Sequence, residues 1–153
     1  MTREQELLSA LAKTVFRLNG QLVAVGEDLA IPSGMTGAWW QVLGTVLRTP
    51  MSVSDIAREI GVTRQSVQRI ADLLVEGRLA EYRSNPAHRR AKLLTPTDAG
   101  RTSVLRITPG HAAFAARLAE EMGVAAMEEA LGVVRRVSEA LERLEGPRHT
   151  AHG

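Results

Sequence analysis

Residues 52–77, SVSDIAREIGVTRQSVQRIADLLVEG, constrain this chain more than any other stretch. Ile56, Ala57 and Ile60 recur at the spacing of one helical face. Ser52 precedes them as an N-cap, with Asp55 three residues on as its capping-box partner. Gly61 stands where this first helix must end, because only glycine enters the left-handed region at no steric cost. Thr63 caps a second helix, in which Val67, Ile70, Ala71 and Leu74 face inward. Arg64, Gln65, Ser66, Gln68 and Arg69 line its first turn and outer face, with no acid before Asp72. Arg suits guanine edges, Gln suits adenine edges, and a helix fits a major groove. Two helices about a glycine-containing turn, with polar readers opening the second, form a helix-turn-helix pattern. The competing reading of this window is an ordinary helical hairpin with a solvated polar face.

The residues immediately C-terminal to this window favour the first reading. Residues 80–83 and 91–94 can be two short strands, joined by the turn chemistry of Ser84-Asn85-Pro86-Ala87. His88, Arg89, Arg90 and Lys92 crowd the tip of this hairpin. A basic hairpin directly after a recognition helix is a wing, able to lie along phosphates or enter a minor groove. Strand side chains alternate, so His88 and Arg90 are expected on one face. Thr95-Pro96-Thr97-Asp98 then reads as a helix start, with a capping Thr95, Pro96 at the first helical position and an acid in the first turn. Charge obeys the same plan. Between positions 48 and 106 stand eleven Arg or Lys against six Asp or Glu, while the flanks carry eight basic and eleven acidic residues. A basic middle between acidic ends fits a phosphate-binding centre on a scaffold that stays off the DNA.

The flanks are helical by pattern. Leu7, Leu11, Val15, Leu18, Leu22 and Val25 step by three or four, which predicts one amphipathic helix over 2–25, with Thr2 and Gln5 as its capping box. Residues 26–35 read as a connection with Pro32 and Gly34 as breakers. A helix over 36–47 clusters Trp39, Val42, Leu43, Val46 and Leu47, with Trp40 turned towards another partner. Beyond Asp98 a helix runs towards Met122, kinked or briefly broken at Pro109-Gly110. Gly123 separates it from a last helix over 124–144, where Ala130, Val134, Val137, Leu141 and Leu144 repeat at coiled-coil-like spacing. Nothing local covers these terminal stripes, so they predict a two-fold homodimer with a helical dimerisation layer. A monomeric bundle folded back on itself is the alternative. The expected architecture is therefore mainly α: an N-terminal dimerisation helix and connection (1–35), a winged helix-turn-helix DNA-binding module (36–100), C-terminal dimerisation helices (101–146) and a disordered tail (147–153).

Other classes lose ground. A chain of 153 residues is one ordinary domain or a small domain with extensions, with room for a real core. It has no cysteine, which excludes disulfides and thiolate metal sites. The four histidines (88, 111, 149 and 152) have no metal-ligand spacing. No nucleophile elbow, phosphate-binding loop, zinc-protease motif or dinucleotide fingerprint is present, so neither catalysis nor a cofactor is expected. No apolar run approaches the roughly 20 residues of a membrane span, and the N-terminus does not read as a secretion signal. A bacterial-type cytoplasm is the expected compartment.

In its order of elements, nearly the whole chain resembles the MarR family of bacterial winged-helix transcription regulators. The family's wing pattern D-x-R-x-x-x-V-x-L-T-x-x-G falls on His88, Arg90, Leu94, Pro96, Thr97 and Gly100. Arg90, Thr97 and Gly100 match it identically, Leu94 is conservative, and His88 and Pro96 depart from it. The family's helix-turn-helix spacing is matched at Ala57, Gly61, Val67, Leu74, Gly77 and Leu79. The resemblance implies a homodimer on a pseudo-palindromic double-stranded DNA operator, a repressor more often than not. The helix after Thr63 would lie in successive major grooves, with Arg90 of the wing near a minor groove. It implies also that a small aromatic effector can bind between the dimer layer and the DNA module. Phe16, Trp39, Trp40, His111 and Phe114 are the candidate lining residues, with plain core packing as their other reading. An adaptor of the same fold that binds ligands or proteins without DNA is the alternative function.

Overall fold

Thr2 opens the first helix, whose complete capping box joins the Thr2 hydroxyl to the Gln5 amide and the Gln5 side chain to the Thr2 amide. In the computed structural model, which describes residues 1–146, this helix is α1, Arg3–Ala30. It runs five residues past its expected end, because nothing between positions 26 and 30 breaks it. The connection begins only at a single 3-10 turn, Ile31–Ser33, and closes on left-handed Gly34. Residues 147–153, expected to be disordered, lie outside the described residues.

Three helices then build the core. Thr36 caps α2 (Gly37–Thr45), Ser52 caps α3 (Val53–Ile60) and Thr63 caps α4 (Arg64–Glu76), each hydroxyl accepting from a backbone amide three residues on. The capping box expected at Ser52 is only half made, since Asp55 turns its carboxylate to Arg58 at 2.6 Å. Between α3 and α4, Gly61 adopts φ 72°, and its amide and that of Val62 both donate to the Ala57 carbonyl. Leu43, Val46, Ile56, Val67, Leu74, Leu94 and Ile107 are fully or almost fully buried together. At roughly 1.5–3 kcal/mol for each side chain of this size, that cluster fixes which face of α4 is left for solvent.

The sheet has one strand more than the sequence pattern predicts. Strand β1 (Met51–Ser52), β2 (Ala80–Arg83) and β3 (Leu93–Pro96) form an antiparallel sheet in the order β1-β3-β2. β1 is two residues long, too short for alternation to reveal it. β3 starts two residues later than expected, and Thr95 and Pro96 lie in it instead of opening the next helix. Pro96 pairs with Ala80 beyond the reach of β1, where a missing N–H interrupts no ladder on that side.

Thr97 is the residue that opens α5 (Asp98–Met122): its hydroxyl accepts from the Gly100 amide and donates to the Arg78 carbonyl. Arg78 follows α4 at a left-handed φ of 59°. The Thr97 amide donates to the Leu79 carbonyl, and a Cβ at Gly100 would overlap that same oxygen. Arg101 donates to the Leu47 carbonyl, two residues past the end of α2. Of the kink or brief break expected at Pro109-Gly110, the break does not occur; α5 continues through both residues. Gly123, at φ 87°, separates α5 from α6 (Val124–Glu145) as expected. The chain divides into two units, the first ending at Gly110 and the second beginning at His111. Two stripes are bare. In the first unit Leu7, Leu11, Val15, Leu18 and Leu22 of α1 are exposed, and in the second α6 buries no residue and exposes Leu131, Val134, Leu141 and Leu144.

Candidate nucleic-acid interface

The exposed face of α4 is set by what its other face buries. Val67, Ile70, Ala71 and Leu74 enter the core, so Arg64, Gln65, Gln68 and Arg69 point outward. Thr63 and Ser66 are also exposed but serve the helix end, the Thr63 hydroxyl donating to Ser66 Oγ at 2.9 Å and accepting from the Ser66 amide. No acceptor among the described residues engages the side chains of Arg64, Gln65 or Arg69. With Ser66, Gln68, Asp72 and Val53 they line an open concavity of about 790 Å³.

Gln68 is held. Its Nε2 lies 3.0 Å from Asp72 Oδ1 and 2.9 Å from the Tyr82 hydroxyl, which itself donates to Asp72 Oδ1 at 2.7 Å. Tyr82 stands on β2, so this triangle ties α4 to the wing. Burial, then the hydrogen bond and negative charge of Asp72, push the Tyr82 phenol up to about 12. The sequence pattern points to neither residue: Asp72 marks the end of the acid-free face, and Tyr82 is one residue of a short strand. A Gln and an Asp four apart on one helix face were the available signal.

On β2, Arg83 is paired with Glu81 at 2.8 Å. The tip is different. His88, Arg89, Arg90 and Lys92 are exposed and no described residue pairs with their side chains. Contrary to expectation, His88 and Arg90 do not share the face of a strand. Asn85 organises a turn here, its side chain accepting from the Ala87 amide and its carbonyl from the His88 amide, while the His88 carbonyl accepts from Ala91. Pairing with β2 resumes only at Leu93.

The five aromatic and histidine candidates for an effector pocket are not gathered at one place in the first unit. A cleft of about 460 Å³ between α1 and α2 is lined by Trp40 with Val23, Glu27, Ala38, Gln41 and Thr45 among others. Within that lining Glu27 accepts from the Gly37 amide. Trp39 packs against the core, and Phe16 is 77% exposed. His111 and Phe114 belong to the second unit.

A family model described as MarR family matches residues 33–91, from the 3-10 turn through the wing tip. Rv2011c, an uncharacterized protein of Mycobacterium tuberculosis, is 40% identical over 135 residues, covering 88% of this chain and 94% of its own. The chain belongs to the MarR family. The solved structures agree on the fold. A mutant MarR from E. coli complexed with operator DNA superposes with a TM-score of 0.74 at 16% identity, covering 90% of this chain and 99% of its own. The M. tuberculosis regulator MosR in complex with DNA gives 0.70 at 22% identity, covering 85% and 96%. Within the MarR pattern, Thr97 and Gly100 now have physical reasons: one hydroxyl locks the turn after α4, and one missing Cβ lets α5 meet it. Among the described residues, no helix of this MarR-family chain is long and apolar enough to cross a membrane.

Proposed function

We propose that this chain is a sequence-specific, double-stranded-DNA-binding transcriptional regulator of the repressor type, with no catalytic role. The observation that carries the reading is the outer face of α4, which presents Arg64, Gln65 and Arg69 unpaired among the described residues and Gln68 held in place. Thr63 and Ser66 close the N-terminus of that helix, where backbone amides favour a phosphate. His88, Arg89, Arg90 and Lys92 supply the wing's phosphate and minor-groove contacts. Two fold neighbours, MarR and MosR, are solved with DNA, which supports the same partner here.

In this reading residues 36–100 form the DNA module, while 1–35 and 101–146 supply the dimerisation elements. Each bare terminal stripe is covered by a second copy, and the homodimer meets a pseudo-palindromic operator whose half-sites lie about 34–36 Å apart. The protein works where the operator is, in a bacterial-type cytoplasm. A small aromatic effector would enter the cleft beside Trp40, and that cleft also gives the ligand-binding adaptor reading its one specific support. Selection of duplexes from a random pool at low salt tests the function. An enriched palindrome is the expected result, with preference at one position per half-site relaxed by Arg64→Ala. Failure to retain any duplex would leave the adaptor reading.

A further inference from the structure

We propose that Tyr82 and Asp72 are positioning residues that hold the Gln68 amide as an adenine-selective reader; this rests on the proposed DNA-binding function. The chemistry of the triangle fixes its protons. A carboxylate only accepts, so both neighbours of Asp72 Oδ1 donate to it. The phenol has one proton and gives it to Asp72, so its oxygen accepts from Gln68. The Gln68 atom facing both must therefore be Nε2, and a flipped amide would set Oε1 against a carboxylate.

With sides of 3.0, 2.9 and 2.7 Å, the triangle is nearly equilateral. Its two oxygens subtend at Nε2 a much narrower angle than the two N–H bonds of a planar amide. In the proposed clamp the N–H anti to Oε1 points between the two oxygens and serves both, leaving the syn N–H and Oε1 unengaged on an exposed side chain. A donor beside an acceptor is what the N7 and N6 of adenine require. Guanine offers two acceptors on that edge, and a fixed Oε1 would oppose its O6. An unheld glutamine can swing Oε1 away and offer guanine only its NH2; a held one cannot. The raised phenol keeps the donor to Asp72 in place throughout the neutral range.

Duplex selection with the full chain, repeated for Tyr82→Phe and Gln68→Ala, tests this. In wild type one position per half-site is adenine. Tyr82→Phe lowers the adenine-over-guanine ratio there by about tenfold, with preferences elsewhere and affinity for random duplex unchanged. Gln68→Ala abolishes it. Full adenine preference in Tyr82→Phe, or an equal loss across all sequences, overturns the clamp alone. Absence of wild-type binding to any duplex overturns the DNA reading and the clamp with it. A second measurement needs no DNA. Tyr82 is the chain's one tyrosine, so phenolate absorbance reports it alone. Ionisation near 12 that moves down in Asp72→Asn is expected, and an ordinary midpoint near 10 in wild type would remove the Asp72 bond from the proposal.

Discussion

At position 100 the backbone of α5 passes so close to the Leu79 carbonyl that a Cβ would overlap the oxygen. Gly100→Ala must therefore push the start of α5 away from the turn that Thr97 ties down. Urea denaturation should show a loss of about 1–3 kcal/mol, the usual cost of forcing atoms into a packed place, with the m-value unchanged. An unaltered midpoint would mean that the backbone shifts freely. Tyr82 gives a second expectation at this scale. Its phenol is raised in the folded state to about 12, above the roughly 10 of an unfolded chain. The two states therefore differ in the protons they bind only between those values. Stability from this group is fully present below about pH 10 and falls as pH rises towards about 12. Urea midpoints at pH 7, 9 and 10.5 should be level across the first two and lower at the third for wild type, with the difference absent in Tyr82→Phe.

At the scale of elements, what the sequence made legible depended on period and length. Helices with apolar residues at three and four, such as α4, were readable with their buried faces, and so was the left-handed turn at Gly61. Strands were not. β1 has two residues, and β3 ends in a Thr-Pro pair whose local chemistry signals a helix start. Only pairing to β2, a contact between distant positions, decides that Thr97 is the cap. The same limit hid the triangle around Gln68, since neither Asp72 nor Tyr82 is distinctive until the wing strand lies beside α4. The wing tip carries its own expectation. Arg90 is exposed with no partner among the described residues, so Arg90→Ala should weaken binding alike on all sequences and reduce the salt slope by about one. Affinity measured between 50 and 200 mM salt on two unrelated duplexes checks it; a loss confined to one sequence would assign Arg90 to base reading instead.

For the whole molecule, the bare stripes of α1 and α6 are the feature still awaiting a partner. If each meets a second copy, light scattering at micromolar protein gives twice the 16.6 kDa of the chain. Leu22→Glu on α1 and Leu141→Glu on α6 should each shift that mass towards one chain, both positions being more than half exposed in the single chain. A wild-type monomer at the same concentration would overturn the dimer. Those leucines also bear on dosage. Where most chains are single, the concentration of pairs follows the square of the supply, so halving the supply removes about three quarters of the pairs. If this chain must find its twin before it finds its operator, it answers to its own abundance more steeply than its DNA contacts alone would require.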